Sequence, residues 1–197
     1  SSEIVMALRS GRAIRFNEST VRPMGRTATG VRGVTLAHDK DEVVGMIAID
    51  SPEATVLVVS EKGYGKRTDI DDYRVTNRGG KGVKTINVTE KTGALVAIKN
   101  VTDADDLMII NKSGIVIRIV VSELRVMGRA TQGVRLITLK GNDEIASVAK
   151  IEHEDEEVEE AEIVGEEGEE ATSETENTDQ TKKEDNNSDT EEKTDEN

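Results

Sequence analysis

Several residue types that support common protein chemistries are missing or scarce in this chain. The 197 residues contain no cysteine, which excludes disulfides, thiolate zinc sites and cysteine nucleophiles and fits a reducing compartment. Tryptophan is absent and only three aromatic side chains occur, too few for a platform that stacks bases, which argues against a single-strand binder. No apolar run is long enough to span a bilayer, and the first residues lack the layout of a signal peptide.

Recognisable catalytic and metal-binding motifs are also missing. His38 and His153 have neither metal-ligand spacing nor a cysteine partner, so we expect two surface residues and no bound metal. The segment 63–68, Gly-Tyr-Gly-Lys-Arg-Thr, only loosely resembles a nucleotide loop, because Arg67 stands where such a loop needs Ser or Thr. We interpret it as a hairpin turn. The sequence therefore predicts no catalytic residue and no cofactor-binding residue in this chain.

Charge divides the chain into two parts. Residues 1–152 hold 23 basic and 19 acidic residues, whereas residues 153–197 hold 3 basic and 21 acidic ones. The second part has almost no apolar side chains to bury, so it cannot offset the entropy cost of ordering its backbone. We predict a folded body over 1–152, long enough to bury a core, followed by a disordered acidic tail over 153–197.

Three copies of one unit fill the predicted body. They cover residues 3–50, 54–101 and 105–152, and successive copies are offset by 52 and then 51 residues. The aligned sets are Gly11, Gly63 and Gly114; Arg15, Arg67 and Arg118; Arg22, Arg74 and Arg125; Arg26, Arg78 and Arg129; and Gly30, Gly82 and Gly133. Self-similarity at a fixed period indicates a repeat architecture.

Each unit carries the signals of four short β-strands. An apolar run rich in β-branched residues ends at a turn with glycine and is followed by a second run, which is typical of a hairpin. A basic loop follows, then a third run and, after a polar turn, a fourth. The third strand is predicted at 31–36, 83–88 and 134–139, and the fourth at 43–49, 95–101 and 145–151. Four short strands per unit predict an all-β, propeller-like array of four-stranded antiparallel blades with little helix.

The basic loop of each unit is the main candidate site. The three loops occupy residues 21–30, 73–82 and 124–133. Their glycines permit positive φ and a close approach of the backbone to a ligand. Their arginines and lysines supply charge, and the planar arginine fork matches a phosphate. One loop per blade predicts an arc of phosphate contacts that would bind a duplex without reading its bases. Any single arginine could instead pair with a nearby carboxylate, such as Asp71 or Asp72.

The repeats resemble the C-terminal domain of the A subunit of bacterial DNA gyrase. The resemblance covers residues 3 to about 152 and is closest at 10–16, 63–68, 78–82 and 127–134. It implies a β-pinwheel, a disc of four-stranded blades that exchange strands and wrap duplex DNA around a basic rim during ATP-dependent negative supercoiling. Carried over by position, the DNA-binding rim residues are Arg22, Arg26, Arg32, Arg74, Arg78, Lys81, Lys84, Arg125, Arg129 and Arg135.

The resemblance also implies partners and a location. The partners would be double-stranded DNA, the rest of the gyrase A subunit, which belongs to a type IIA topoisomerase, and the gyrase B subunit. The location would be the bacterial cytoplasm near the nucleoid and away from membranes. ATP and magnesium would act through other domains of the enzyme. The family's DNA-cleaving tyrosine lies in an upstream domain, and neither Tyr64 nor Tyr73 has that context, so we expect the isolated chain to be catalytically inert.

One motif departs from the family pattern. The signature box of the family, Gln, a basic residue, Arg-Gly-Gly, a basic residue and Gly, lies in its first blade. Here Thr76 and Asn77 fill the first two positions, within the second of the three units. We interpret this segment as an internal relative of the box, and the chain as a fragment of a longer protein.

Two other interpretations stay open at this point. One is the C-terminal domain of the topoisomerase IV A subunit, a related and smaller disc with more degenerate loops. The other is a non-enzymatic bladed scaffold that binds an acidic protein partner. The regularity of the loops and the long acidic tail favour gyrase.

The acidic tail generates a first prediction. Its carboxylates should compete with DNA phosphates for the basic loops, because both are polyanions attracted to the same cations. Removing residues 153–197 should therefore strengthen duplex binding at low salt, as measured by fluorescence anisotropy on the full and shortened chains. Equal affinities would contradict the competition.

Overall fold

The computed structural model describes residues 2–49 and 51–153. Within them lie eleven β-strands and three one-turn 3-10 helices, with no α-helix. The strands are β1 Glu3–Leu8, β2 Arg12–Asn17, β3 Val43–Ile49, β4 Thr55–Ser60, β5 Tyr64–Asp69, β6 Val83–Lys84, β7 Leu95–Val101, β8 Asp105–Asn111, β9 Val116–Val120, β10 Val134–Arg135 and β11 Ile145–Glu152. The 3-10 helices are η1 Glu18–Thr20, η2 Ile70–Asp72 and η3 Val121–Glu123. Apart from His153, the predicted tail lies outside the described residues.

The strands form three antiparallel sheets, one for each repeat. Their orders are β3-β1-β2-β6, β7-β4-β5-β10 and β11-β8-β9. The sheets confirm the predicted all-β array of antiparallel blades. None of the helices in the described part of the chain has the length and apolar character needed to cross a membrane.

The outermost strand of the first two sheets comes from the following repeat. Strand β6 of repeat 2 pairs with β2 of repeat 1, with Lys84 opposite Arg12. Strand β10 of repeat 3 pairs in the same way with β5 of repeat 2, with Arg135 opposite Tyr64. Each repeat therefore completes the sheet of the one before it, so the repeats are joined by backbone hydrogen bonds as well as by packing.

The third predicted strand of each repeat is shorter than the sequence suggested. The predictions 83–88 and 134–139 shrink to the two-residue strands β6 and β10, and no strand forms at 31–36. The ladder ends at the hairpin turn of the preceding repeat, because the N–H groups of both Thr85 and Ile86 donate to the carbonyl oxygen of Gly11 and the N–H of Gly11 is bonded to Leu8 within that turn. The segment 31–36 has no sheet of an earlier repeat to pair with among the described residues.

Two apolar clusters fill the spaces between neighbouring sheets. Side chains alternate along a strand, and β4 contributes to both clusters: Val56 and Val58 face repeat 1, whereas Leu57 and Val59 face repeat 3. This alternation explains why the central strand is a continuous apolar run, since both of its faces are buried. Stability therefore depends on contacts between neighbouring repeats.

Arginines of the second strand cross from one repeat to the next. Arg15 Nη1 donates to the carbonyl oxygens of Ile70 at 2.7 Å and Tyr73 at 2.9 Å. Arg67 Nη1 makes the equivalent two bonds one repeat further on, at 3.0 and 3.2 Å. The carbonyl oxygens of Ile70 and Val121 also accept a backbone N–H within the 3-10 turn, whereas those of Tyr73 and Leu124, directly after the turn, accept from the arginine. The two guanidinium groups, only 12 % and 6 % exposed, therefore fasten the start of the following basic loop.

Replacing Arg67 should test this role in stability. Arg67→Ala should lower the free energy of unfolding by about 2–4 kcal/mol, because it removes the donor to the carbonyl oxygen of Leu124 and the ion pair with Asp103 and leaves a cavity at a buried position. Arg67→Lys should restore only part of the loss, since an ammonium group lacks the planar fork. Urea unfolding followed by far-UV circular dichroism measures both.

The matched control is Arg125→Ala, which removes an exposed loop arginine. Its effect should stay below about 0.5 kcal/mol. Equal losses for the Arg67 and Arg125 variants would contradict a structural role specific to Arg67.

Candidate nucleic-acid interface

Each basic loop of repeats 2 and 3 is anchored at its start to the preceding repeat. In repeat 2, Thr76 donates its N–H to the carbonyl oxygen of Arg15 at 2.9 Å, and Val75 forms an isolated parallel bridge with Arg15. In repeat 3, Met127 makes the equivalent bond to Arg67 at 2.8 Å. The two loops therefore take equivalent positions on neighbouring sheets.

A buried tyrosine and a glycine with positive φ define the shape of the loop in repeat 2. Tyr73 is fully buried, and its hydroxyl lies 2.5 Å from Thr85 Oγ1. Gly82 has a φ of 67°, and a Cβ at this position would collide with the carbonyl group of Ala13. Gly133 meets the carbonyl of Gly65 in the same way. These glycines are therefore needed for the strand exchange itself, not only for ligand approach.

The ten candidate rim residues separate into two groups. Arg78 and Arg129 are half-buried. Arg78 donates from Nε to the carbonyl oxygen of Thr20 at 3.0 Å and from Nη1 to that of Arg32 at 3.2 Å. Arg129 makes the two equivalent bonds to repeat 2, both at 3.0 Å. We therefore assign both to positioning the loops rather than to contacting a ligand.

The other eight candidates are exposed. They are Arg22, Arg26, Arg32, Arg74, Lys81, Lys84, Arg125 and Arg135. Lys84 Nζ lies 3.2 Å from Asn87 Oδ1. Arg135 donates to the Tyr64 hydroxyl at 2.9 Å and stacks on its ring. The remaining six make no ion pair or side-chain hydrogen bond with the described residues.

Neighbouring carboxylates are engaged elsewhere. Asp71 lies 3.8 Å from the Arg15 guanidinium, and Asp72 Oδ2 accepts the backbone N–H of Arg129. The interpretation in which the loop arginines only neutralise nearby carboxylates therefore does not hold for Arg74, the loop arginine that directly follows Tyr73. Its charge is available to a ligand.

The repeats match a known family along their whole length. Residues 3–50, 54–102 and 105–152 match the family model described as DNA gyrase C-terminal domain, beta-propeller. The chain belongs to this family.

Individual relatives agree with this assignment. Over 161 residues the chain is 48 % identical to the DNA gyrase A subunit of Staphylococcus aureus strain MRSA252, an alignment that covers 81 % of this chain and 18 % of the relative. The same gyrase protein from S. aureus strain NCTC 8325 / PS 47 is 49 % identical over 156 residues, which is 79 % of this chain and 18 % of the relative. The chain thus spans about a fifth of the length of these relatives, and the resemblance to the gyrase A subunit is confirmed.

Solved structures share the fold. A DNA gyrase A C-terminal domain superposes with a TM-score of 0.69 at 27 % identity, covering 76 % of this chain and 50 % of the other. The C-terminal domain of DNA topoisomerase IV gives a TM-score of 0.72 at 23 % identity, covering 77 % and 47 %. The second likeness is one of fold alone, whereas the sequence relatives are gyrase subunits.

One buried cation of this gyrase-family domain could not be predicted from the repeat pattern. Lys66 is 1 % exposed, and its Nζ donates to the carbonyl oxygen of Gly128 at 2.5 Å and to Thr131 Oγ1 at 3.2 Å. Both acceptors belong to the basic loop of repeat 3, so Lys66 helps to hold that loop in place. The aligned residues are Ile14 and Ile117, so the repeat pattern carried no signal for a lysine here. Burial lowers the pKa of Lys66 to about 8.

The lowered pKa of Lys66 predicts a pH dependence of stability. A folded-state pKa below the unfolded value means that between about pH 8 and 10.5 the unfolded chain binds more protons. The free energy of unfolding should therefore rise as pH increases from 8 towards 10, because the folded chain no longer has to bury a charged ammonium group. Lys66→Ile, which installs the residue of the aligned positions, should remove that rise.

Urea unfolding of both proteins at pH 7, 8, 9 and 10 measures the effect as a difference between variant and parent. Taking the difference cancels the other groups that titrate in this range, such as Tyr64. The free energy of unfolding of the variant minus that of the parent should fall as pH rises. A difference that does not change with pH would contradict a charged, desolvated Lys66.

Proposed function

We propose that this chain is a DNA-wrapping part of the gyrase A subunit that binds duplex DNA through its phosphates and bends it across the repeats. The observation that carries the proposal is the recurrence of exposed cations at two aligned positions. Arg22, Arg74 and Arg125 occupy the first position, and Arg32, Lys84 and Arg135 the second; all six are exposed.

Regular spacing favours a regular polyanion as the ligand. The loops of repeats 2 and 3 are fixed by the same bonds to the sheet before them, so their cations recur once per repeat. Duplex DNA presents phosphates at a constant interval, and repeated neutralising contacts can hold it along a bent path without base readout. Arginine is suited to this task because its fork can bind two phosphate oxygens.

The chemistry of supercoiling is assigned to other parts of the enzyme in this proposal. Tyr73 is fully buried, and Tyr64 is 6 % exposed with Arg135 and Lys91 against its ring. Neither hydroxyl is presented to a phosphodiester bond. We infer that strand cleavage, ATP and magnesium belong to the B subunit together with the rest of the A subunit. In the assembled enzyme, wrapping by this domain would determine that the supercoils introduced are negative.

Salt dependence of DNA binding tests the proposal. The double variant Arg74→Ala/Arg125→Ala should bind a duplex more weakly, and the slope of log K against log salt should become shallower by about 1 to 2 units, since each lost phosphate contact removes about 0.9. The control Lys40→Ala/Lys140→Ala changes the net charge equally, and both of its lysines are exposed in the polar turns away from the basic loops. Its slope should change much less.

A topological assay separates wrapping from binding to an acidic protein. When a nicked circle is ligated in the presence of the chain, wrapping should shift the linking number, and the loop variant should shift it less. Binding without any shift would mean that the chain holds DNA but does not wrap it.

In the salt series, equal slopes of log K against log salt for the loop double variant and the lysine control would contradict the assignment of phosphate contacts to the basic loops.

A further inference from the structure

A cavity of about 360 Å³ lies between repeats 2 and 3, and three cations stand on its wall. Lys62 and Lys91 come from repeat 2, and Arg135 comes from strand β10 of repeat 3. A cavity of this size is at the small end of the range for ligand pockets in proteins, about 300–1,000 Å³. All of its lining residues belong to repeats 2 and 3, which are both described in full.

Tyr64 holds two of these cations in place. Its ring is 6 % exposed, and its centroid lies 5.4 Å from the guanidinium carbon of Arg135 and 5.6 Å from Lys91 Nζ. Arg135 also donates from Nη2 to the Tyr64 hydroxyl at 2.9 Å. The face of an aromatic ring attracts a cation. The third cation, Lys62, donates from Nζ to the backbone carbonyl oxygen of Glu90. The pocket wall therefore fixes all three positive charges through neutral groups.

The two carboxylates of the pocket wall are engaged elsewhere. Glu144 Oε2 lies 2.5 Å from Lys112 Nζ. Asp143 accepts the hydroxyl and the backbone N–H of Ser113. No carboxylate of the described residues forms an ion pair with Lys62, Lys91 or Arg135. Like charges that converge on one cavity repel each other, and an anion in the cavity would offset that repulsion.

The cluster is not part of the repeat pattern. At the junction of repeats 1 and 2, Ser10 aligns with Lys62, and Arg12 aligns with Tyr64. The Arg12 guanidinium donates to two backbone carbonyl oxygens of repeat 2. Both junctions exchange a strand in the same way. The strand exchange therefore requires neither a lysine nor a tyrosine at these positions, and the fold alone does not explain the cluster.

The chemistry of the pocket wall favours phosphate over carboxylate. A phosphate group presents up to three strong acceptor oxygens, whereas a carboxylate presents two. The planar guanidinium of Arg135 can donate two parallel hydrogen bonds to a phosphate, and a lysine ammonium binds it as a point charge. Ile137 and Leu139 also line the cavity. Their apolar side chains keep the local dielectric constant low, which strengthens the attraction between opposite charges.

We propose that Lys62, Lys91 and Arg135 form a binding site for a phosphate group in the cavity between repeats 2 and 3. Tyr64 is a positioning residue, because it contacts two of the cations rather than the ligand. The phosphate group belongs either to a free ligand that carries a diphosphate, such as a nucleotide, or to the backbone of the duplex. Only the second source rests on the proposed DNA binding, and two measurements separate the sources.

The ionisation of Tyr64 is a direct reporter of the site. The chain contains two tyrosines and no tryptophan. The hydrogen bond from Arg135 lowers the pKa of Tyr64, whereas burial raises the pKa of Tyr73. Tyr64 should therefore form its phenolate first as pH rises, and near-ultraviolet absorbance records this step. Tyr64→Phe should abolish the step, which assigns it to this residue.

The first measurement titrates the intact chain with inorganic pyrophosphate. Pyrophosphate in the cavity should move the Tyr64 step to higher pH, because a bound anion disfavours a second negative charge beside it and competes for Arg135. Sodium chloride at the same ionic strength controls for screening. Lys91→Gln should weaken pyrophosphate binding about tenfold, a typical loss for one charge-assisted hydrogen bond.

Lys40→Gln is the matched control. Lys40 is an exposed lysine in the polar turn of repeat 1, and Lys91 is an exposed lysine in the polar turn of repeat 2. Both variants lose one charge, but only Lys91 lines the cavity. Lys40→Gln should therefore bind pyrophosphate like the parent. Circular dichroism confirms that each variant is folded.

The second measurement is duplex binding by both lysine variants across a salt series. If the phosphate belongs to DNA, Lys91→Gln should make the slope of log K against log salt shallower by about 0.9, and pyrophosphate alone should leave the Tyr64 step unchanged. If the phosphate belongs to a free ligand, pyrophosphate should shift the step and the two lysine variants should have equal slopes. Either result supports a phosphate site.

The proposal is overturned if pyrophosphate shifts the Tyr64 step no more than sodium chloride does and the two lysine variants have equal slopes. It is also overturned if Lys40→Gln weakens pyrophosphate binding as much as Lys91→Gln does. A failure of the proposed function would be visible separately, as a parent chain that binds no duplex. The pyrophosphate measurement contains no DNA and is unaffected by that failure.

Discussion

The array depends on guanidinium groups held against backbone carbonyls of a neighbouring repeat. Arg15 and Arg67 reach forward to the 3-10 turn of the next repeat, and Arg78 and Arg129 reach back to the loop of the preceding one. The loops contain few regular backbone pairs, so these side-chain donors supply a large part of the bonds that join each loop to its neighbour. Charged donors make stronger hydrogen bonds than neutral ones. Two arginines at each junction therefore fix the loops that the two-residue strands alone would hold weakly.

This arrangement gives the loop cations two distinct tasks. Some arginines are used to hold the fold together, whereas others, such as Arg74 and Arg125, are exposed on loops whose backbone is bonded to the preceding sheet. Preorganisation matters for a ligand bound by many weak contacts, because less loop entropy is lost when it binds. The same bonds that stabilise the array thus place its free charges at aligned positions of successive repeats, as a phosphate backbone requires.

Much of the fold could be predicted from the sequence. Which arginines position the loops and which are exposed to a ligand could not. The period of the repeat and the alternation of apolar runs predicted the blades, because both follow from local strand geometry. The shortness of the third strands was missed, since each pairs with another repeat and its ladder ends at the hairpin turn of that repeat, as at Gly11. Arg74 and Arg78 look alike in the alignment, because a structural role and a binding role both keep a residue in register. Lys66 was missed because only one repeat has it.

The most direct test compares Arg74→Ala with Arg78→Ala in two measurements on each protein, the midpoint of urea unfolding and the salt slope of duplex binding. The two variants should show opposite profiles. Arg74→Ala should make the slope shallower by about 1 unit with an unchanged midpoint, and Arg78→Ala should lower the midpoint with little change of slope while the protein is folded. If both variants alter the slope equally and neither alters the midpoint, the division of the loop arginines into positioning and phosphate-binding residues is wrong.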